Sequence, residues 1–326
     1  MVEAFSSIRC QNRAISLLRR YLEANSVPPG LLFFGEEGIG KEKTALAFIT
    51  ALFCRKRGGE GACGSCADCR LLSSGAHPNL LRVSPENQFI QIAEIRGLKE
   101  ELSLKAFSDR PRAVIICPAD RMTPQAANAL LKTLEEPPPD THLVLVAHRL
   151  SRLPPTIVSR CQKIPFTTLP AEDVEEILGG IPSIRKRHSP AEIRVASACA
   201  GGSPGRAIPL LAEMEGDRKT WTALFSGLDP AAAVAAGEGW KKAGERKGQI
   251  AVPLSLARDL ALLSSGAETG IINEDIRESL DAVAGRKNRG RWTRAFHGLL
   301  SVVRLPPQAQ KRLAMEAFLF DLHRKG

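Results

Sequence analysis

Gly35, Gly40 and Lys41 stand in the spacing G-x4-G-K. In that arrangement the backbone N–H groups of a glycine loop cradle phosphates and the lysine reaches their outer oxygens. The full pattern closes with Ser or Thr, whose hydroxyl holds Mg²⁺, and this chain has Glu42 there instead. A carboxylate about 4 Å from a phosphate adds repulsion of about 1 kcal/mol even in a water-like dielectric. One such change can be compensated, because a carboxylate is itself a ligand for a hard cation.

Cys54, Cys63, Cys66 and Cys69 follow in the order C-x8-C-x2-C-x2-C, around the glycine-rich stretch RKRGGEGACGSCADC. Thiolates bind Zn²⁺ tetrahedrally at about 2.3 Å, and two-residue gaps let a tight turn bring neighbouring sulfurs to one ion. All four ligands would come from the protein, so the expected zinc site is closed and structural. The alternatives are reduced loop cysteines and, less compatible with a cytosolic chain, disulfides. Cys10, Cys117, Cys161 and Cys199 are scattered and read as packing residues.

These groups need elements to hold them. GLLFF (30–34) is a short apolar run ending in Gly35, and Lys41 opens the helical stretch KEKTALAFITALFC. Strand, glycine loop and helix is the setting that aims free helix N–H groups at an anion. AVIIC (113–117) and LVLVA (143–147) are β-branched runs of the kind buried in parallel sheets. Between them PQAANALLKTLEE reads as a helix with Leu130, Leu131 and Leu134 on one face, stopped by Pro137, Pro138 and Pro139. Alternating strands and helices predict an α/β fold, a parallel sheet with helices on both faces. After about residue 165 the strand signals fade, which predicts an α/β domain over 1–165, a small helical unit over 166–208 and a helical domain over 209–326.

The chain has 326 residues, 44% hydrophobic and 25% charged, which suits a soluble globular protein of two or three domains. No apolar run approaches the roughly 20 residues that cross a bilayer, and the first residues lack the order of a secretory signal, so the expected compartment is the cytosol with no membrane partner. The net charge of +10 favours a polyanionic partner. Its basic clusters, Lys241, Lys242, Arg246 and Lys247, and Arg286, Lys287, Arg289, Arg291 and Arg294, read either as solvated helix ends or as a nucleic-acid contact. Trp221, Trp240 and Trp292 read as core or interface anchors.

The block NALLKTLEEPP (128–138), followed by LPPTIVSRC (153–161), resembles the AAA+ subunits of the bacterial DNA polymerase III clamp loader. The opening FSSIRCQNRAISLLRRYL, the glycine loop, the cysteine cluster and GGSPGRAI (201–208) fall in the family's order, so the resemblance spans about residues 5–208. It implies an AAA+ nucleotide-binding-like core with a zinc module at about 54–69, a helical lid over 166–208 and a helical collar for oligomerisation over 209–326. It further implies a hetero-pentamer with gamma/tau-type and delta-type subunits. Such a ring uses ATP to open a sliding clamp and place it on primed DNA within the DNA polymerase III holoenzyme. Each active site of the ring lies between neighbours, one giving the phosphate loop and the magnesium acid, the next an arginine.

Against that family, Cys117 and Pro118 stand where active relatives carry Asp and Glu, and Ala147 and His148 stand where a polar sensor is expected. Asp120 lies two residues beyond the acidic pair and reads as a turn or helix-start residue. With Glu42, three losses fall on one site, so Gly35, Gly40 and Lys41 read as a degenerate loop; neither ATP hydrolysis nor ATP binding is expected of this chain. Ser159-Arg160-Cys161 is intact, and the resemblance makes Arg160 an arginine finger acting in trans, with a surface or interdomain ion pair as the plain alternative. Arg206 lies near a second sensor position that Gly205 fits equally well, and its role stays open. The leading expectation is a non-catalytic loader subunit that donates an arginine. The alternatives are an active gamma/tau-like ATPase subunit and a stand-alone zinc-containing nucleic-acid-binding protein.

Overall fold

Three consecutive apolar residues with no polar alternation, Leu31, Leu32 and Phe33, are all fully buried, so the strand that carries them is covered on both faces. In the computed structural model, which describes residues 4–58, 61–104, 110–227, 231, 234–236, 250–285, 289–305 and 309–324, this strand is β1 (Gly30–Phe34). It belongs to a parallel sheet with β2 (Leu80–Val83), β3 (Arg112–Ile116), β4 (Thr141–Ala147) and β5 (Gln162–Pro165), in the order β2-β3-β4-β1-β5. Gly30 lies opposite Leu143 of β4, and Leu31 opposite Gln162 of β5.

The first of two compact units, Met1–Leu169, is built on this sheet. Its helices are α1 (Asn12–Glu23), α2 (Lys41–Phe53), α3 (Ala67–Ser73), α4 (Ile92–Ser103), α5 (Pro124–Glu135) and α6 (Pro155–Ser159). Leu32, Val114, Ile116, Leu143 and Leu145 form one sheet face and pack with Ile95 and Leu98 of α4 and Leu130 and Leu134 of α5. Side chains alternate along a strand, so Leu31, Phe33, Ile115 and Val144 point to the other face, where α2 packs on β1 and β4. α5 starts at Thr123, whose hydroxyl accepts from Ala126 N, with Pro124 at its first position, and stops at the three prolines. The expected parallel α/β sheet is present. The short edge strands β2 and β5 were not legible in the sequence.

The second unit, Pro170–Gly326, contains no strand among its described residues. It comprises α7 (Ala171–Gly179), α8 (Pro182–Arg187), α9 (Pro190–Cys199), α10 (Pro204–Ser226), α11 (Ala251–Ser264), α12 (Arg277–Ala284), α13 (Arg289–Arg304) and α14 (Lys311–Arg324). α10 runs without interruption across position 208, where the sequence reading places the end of the small helical unit. Trp221 and Trp292 are buried on either side of Phe225, and Trp292 Nε1 donates to the Ala284 carbonyl at 2.8 Å. Trp240, Lys241, Lys242, Arg246, Lys247, Arg286 and Lys287 lie outside the described residues. No helix among the described residues is long and apolar enough to cross a membrane.

A buried carboxylate organises this unit. Asp259 on α11 is fully buried and accepts from Asn273 N and Asn273 Nδ2, each at 2.8 Å, from Ile272 N at 3.1 Å and from Arg258 Nη1 at 2.9 Å. Removing the acceptor leaves the N–H groups of Ile272 and Asn273 without a partner, each worth about 1–3 kcal/mol, while Asn273 Nδ2 keeps Ser255 Oγ and Arg258 Nη1 keeps the Gly270 carbonyl. Asp259→Ala is therefore expected to lower the unfolding free energy of this unit by about 3 kcal/mol or more, and Asp259→Asn by less, because an amide oxygen still accepts. Urea unfolding followed by tryptophan fluorescence checks it, since Trp221 and Trp292 are buried in this unit.

Candidate functional site

The chain leaves β1 at Gly35, where φ is +144° and an added Cβ would sit 2.5 Å from the Phe166 carbonyl oxygen, so only glycine fits. The loop ends at Gly40, the N-cap of α2, and Lys41 opens the helix. Lys41 is 3% exposed, and its Nζ donates to the Gly35 carbonyl at 2.7 Å and to the Glu36 carbonyl. The ammonium thus spends two of its three donors on its own loop. Burial pulls its pKa down to about 8, opposed by the nearby acids Asp120, Glu37 and Glu36.

An open cleft of about 600 Å³ faces this loop, lined by Gly40, Lys41, Glu42, Cys117, Pro118 and Arg121 among others. Where a magnesium hydroxyl would stand, the Glu42 carboxylate lies 3.6 Å from Arg82 Nη1 and accepts from the Cys117 thiol at 3.9 Å. Burial, and then the charge of Glu42, push the Cys117 thiol up to about 12, so it is neutral near pH 7. Asp120, the nearest acid after β3, is buried and bonded to backbone through both oxygens. Its Oδ1 accepts from His148 N at 2.8 Å and its Oδ2 from Arg149 N at 3.2 Å, which ties the turn after β3 to the end of β4. Asp120 lies in a single 3-10 turn, Ala119–Arg121, as a turn or helix-start residue should, but nothing in sequence spacing shows which backbone its carboxylate meets.

The four cysteines do come together. Their sulfurs lie within 4.8 Å of one another, and Cys63 Sγ and Cys69 Sγ are 4.0 Å apart. Tetrahedral Zn–S bonds of about 2.3 Å place sulfurs about 3.8 Å apart, so the cluster fits a metal ion with small adjustments. Cys54 is the C-cap of α2, Cys66 the N-cap of α3, and Cys69 lies on α3. Backbone N–H groups of Ser65 and Cys66 lower the Cys63 thiol to about 6, whereas burial raises the Cys54 and Cys69 thiols. Beneath the cluster, Asp68 is flanked by Arg55 Nε at 3.4 Å, Arg110 Nε at 3.6 Å and His77 Nε2 at 3.7 Å. His77 stacks on Phe53 of α2 with ring centroids 4.6 Å apart, and its Nδ1 accepts from Asn79 N, which leaves the proton on Nε2 toward Asp68. Asp68 and His77 were not singled out from the sequence, although Asp68 stands inside the cysteine motif.

Arg160 follows α6 at the opposite end of β1 from the glycine loop. Its Nε donates to Glu135 Oε1 at 2.6 Å, its Nη2 also pairs with Glu135, and its Nη1 donates to the Thr156 carbonyl at 3.1 Å. Ser159 Oγ donates to the same carbonyl at 3.1 Å, and Cys161 is buried in the core. Gly30 makes room for this turn, because a Cβ there would meet the Arg160 carbonyl oxygen at 3.2 Å and Cys161 Sγ at 3.4 Å. Arg206 lies in the second unit, in the first turn of α10, where its N–H donates to Ser203 Oγ.

Residues 10–170 match the family model described as DNA polymerase III, delta subunit. The chain is 40% identical over 168 residues to the DNA polymerase III subunit delta' of Bacillus subtilis, covering 52% of this chain and 51% of that protein. Identity to the subunit delta' of Pseudomonas aeruginosa is 38% over 178 residues, covering 53% of this chain and 52% of that protein. Identity to the DNA polymerase III subunit tau of Salmonella typhimurium is 28% over 232 residues, covering 69% of this chain and 36% of that protein. The chain thus spans about half the length of the two delta' relatives.

The buried lysine has a measurable consequence. An unfolded chain holds the Lys41 proton up to its ordinary value of 10.5, whereas the folded chain releases it near 8. Between those values the unfolded state binds more protons, so stability rises with pH, by up to about 1.4 kcal/mol per pH unit. Relative to Lys41→Met, the wild-type chain is expected to gain unfolding free energy between about pH 8 and 10. Denaturation curves followed by circular dichroism across that range check the sign.

Proposed function

We propose, from a chain whose N-terminal half is that of a DNA polymerase III delta-prime subunit, a non-catalytic member of the clamp loader that donates Arg160 to the ATP site of a neighbouring subunit. The observation that carries this reading is the separation of the two candidate sites along β1. The glycine loop leaves the C-terminal end of that strand, and Arg160 lies beside Gly30 at its N-terminal end. Five residues of strand at about 3.3 Å each put roughly 16 Å between them, more than an arginine side chain spans. Arg160 is therefore out of reach of its own chain's loop, and a phosphate it serves belongs to another chain.

The glycine loop supports the non-catalytic half of the reading. Gly35, Gly40 and Lys41 keep the shape of a phosphate loop, but Glu42, Cys117 and Pro118 provide neither the magnesium hydroxyl nor the acidic pair that phosphoryl transfer requires. The similarity to subunit tau favours an active motor as a second reading, and the same three residues oppose it. In the proposed arrangement residues 1–165 are the AAA+-type core, 166–208 the lid and 209–326 the collar, with α10 joining the last two. The chain works in the cytosol within a hetero-pentamer with gamma/tau-type and delta-type subunits, and meets the sliding clamp and primed DNA through that complex. Cys54, Cys63, Cys66 and Cys69 hold one structural zinc ion, whose bonds close the 54–69 segment.

Freshly purified, untagged protein is expected to carry about one zinc per chain by elemental analysis, and Cys66→Ser to lose most of it and to speed proteolysis within 54–69. Metal-free wild-type protein with unchanged proteolysis would remove the zinc assignment.

Arg160→Ala is expected to enter the complex normally by gel filtration while lowering its clamp- and DNA-stimulated ATPase. An arginine finger is worth on the order of 10³ to 10⁵ at one site, but only one of several sites depends on Arg160, so clamp loading should fall further than bulk hydrolysis. Arg160→Lys should restore only part, because an ammonium lacks the planar fork. Wild-type ATPase and clamp loading in an assembled Arg160→Ala complex would return Arg160 to the role of a surface ion pair.

A further inference from the structure

We infer that Glu135 is the positioning residue for Arg160, fixing its guanidinium so that the outer fork faces away from the chain, ready for a phosphate. The inference rests on the reading of Arg160 as a donor to a neighbour's site.

Arginine has five N–H donors, one on Nε and two on each Nη. Glu135 takes the Nε donor and one on Nη2, and the Thr156 carbonyl takes one on Nη1. Two remain, one on each terminal nitrogen, and these are the pair that grips two oxygens of a phosphate. Glu135 and Thr156 therefore hold three of the five donors and leave one on each terminal nitrogen uncommitted, on a side chain that is 36% exposed.

Both anchors stand on rigid elements. Leu134, the residue before Glu135, and Ile157, the residue after Thr156, are buried in the same core cluster, and α5 packs against α6. Pro137 follows the end of α5, and Pro154 and Pro155 open α6, so neither backbone is free to drift. The position of Glu135 has an independent cost. It is the last residue of α5, where the helix dipole disfavours a carboxylate by about 0.3–1 kcal/mol. An exposed pair of this kind contributes little to folding, so its consequence lies in orientation.

The test uses the reconstituted complex with Glu135→Gln, Glu135→Ala, Arg160→Ala and the double variant Glu135→Ala/Arg160→Ala. Glu135 is 45% exposed, so the substitutions should fold, and gel filtration confirms assembly. Misorienting the fork is expected to lower kcat by on the order of 10-fold at the dependent site with KM for ATP unchanged, because the arginine acts on the transition state. The double variant should match Arg160→Ala alone. In the isolated chain, the Arg160 Nε–H resonance should exchange slowly in the wild type and rapidly in Glu135→Ala. Wild-type kcat in Glu135→Ala alongside an impaired Arg160→Ala overturns the inference and leaves the arginine's role standing. A raised kcat in Glu135→Ala would make Glu135 a latch and also overturns it, as does an additional loss in the double variant. Wild-type activity in Arg160→Ala fells the proposed function itself.

Discussion

The parallel pairing of β1 between β4 and β5 is the constraint on which the rest of the first unit depends. A strand hydrogen-bonded on both edges and buried on both faces cannot shift register without exposing its apolar side chains or breaking its ladders. Parallel strands also share a direction, so everything that follows a strand gathers at one end of the sheet and everything that precedes one gathers at the other. The glycine loop, Cys117 and His148 therefore meet at one end, and the turn of Arg160 lies at the other. One piece of topology separates the cleft from the arginine.

Within the cleft the substitutions are mutually consistent. Glu42 brings a negative charge to the start of α2, where the helix N-terminus favours it and Arg82 approaches it. The Cys117 thiol beside it stays neutral. Lys41 turns inward to the carbonyls of its own loop, and Asp120 gives both oxygens to the backbone after β4. The groups that a divalent ion and a triphosphate would claim are engaged with the protein itself. The loop connects β1 to α2 and retains the glycine geometry of its pattern.

The cysteine module is held to this core from two sides. Cys54 caps α2, and His77, just before β2, stacks on Phe53 at the end of the same helix. Asp68 collects Arg55, Arg110 and the His77 ring N–H, so two charges and a ring donor from three segments converge on one buried carboxylate. A buried carboxylate needs such partners, because unpaired it would cost several kcal/mol.

Local chemistry was legible from the residues alone. The glycine spacing, the cysteine spacing, the runs that became β1, β3 and β4, and the proline-stopped helix α5 are determined by contacts a few residues apart, and the sequence carried them. β2 and β5 were not legible, because an edge strand is stabilised by its neighbour on one side and needs no distinctive apolar run. Neither were Asp120 on the backbone of 148 and 149, Arg82 near Glu42, or Glu135 on Arg160, pairs separated by 25 to 40 residues. Sequence alone named the arginine and the loop, but only the tertiary structure decided that they stand at opposite ends of one strand. The reason is physical: residue type and short spacing set what a group can do, whereas strand order and direction set which groups it can reach.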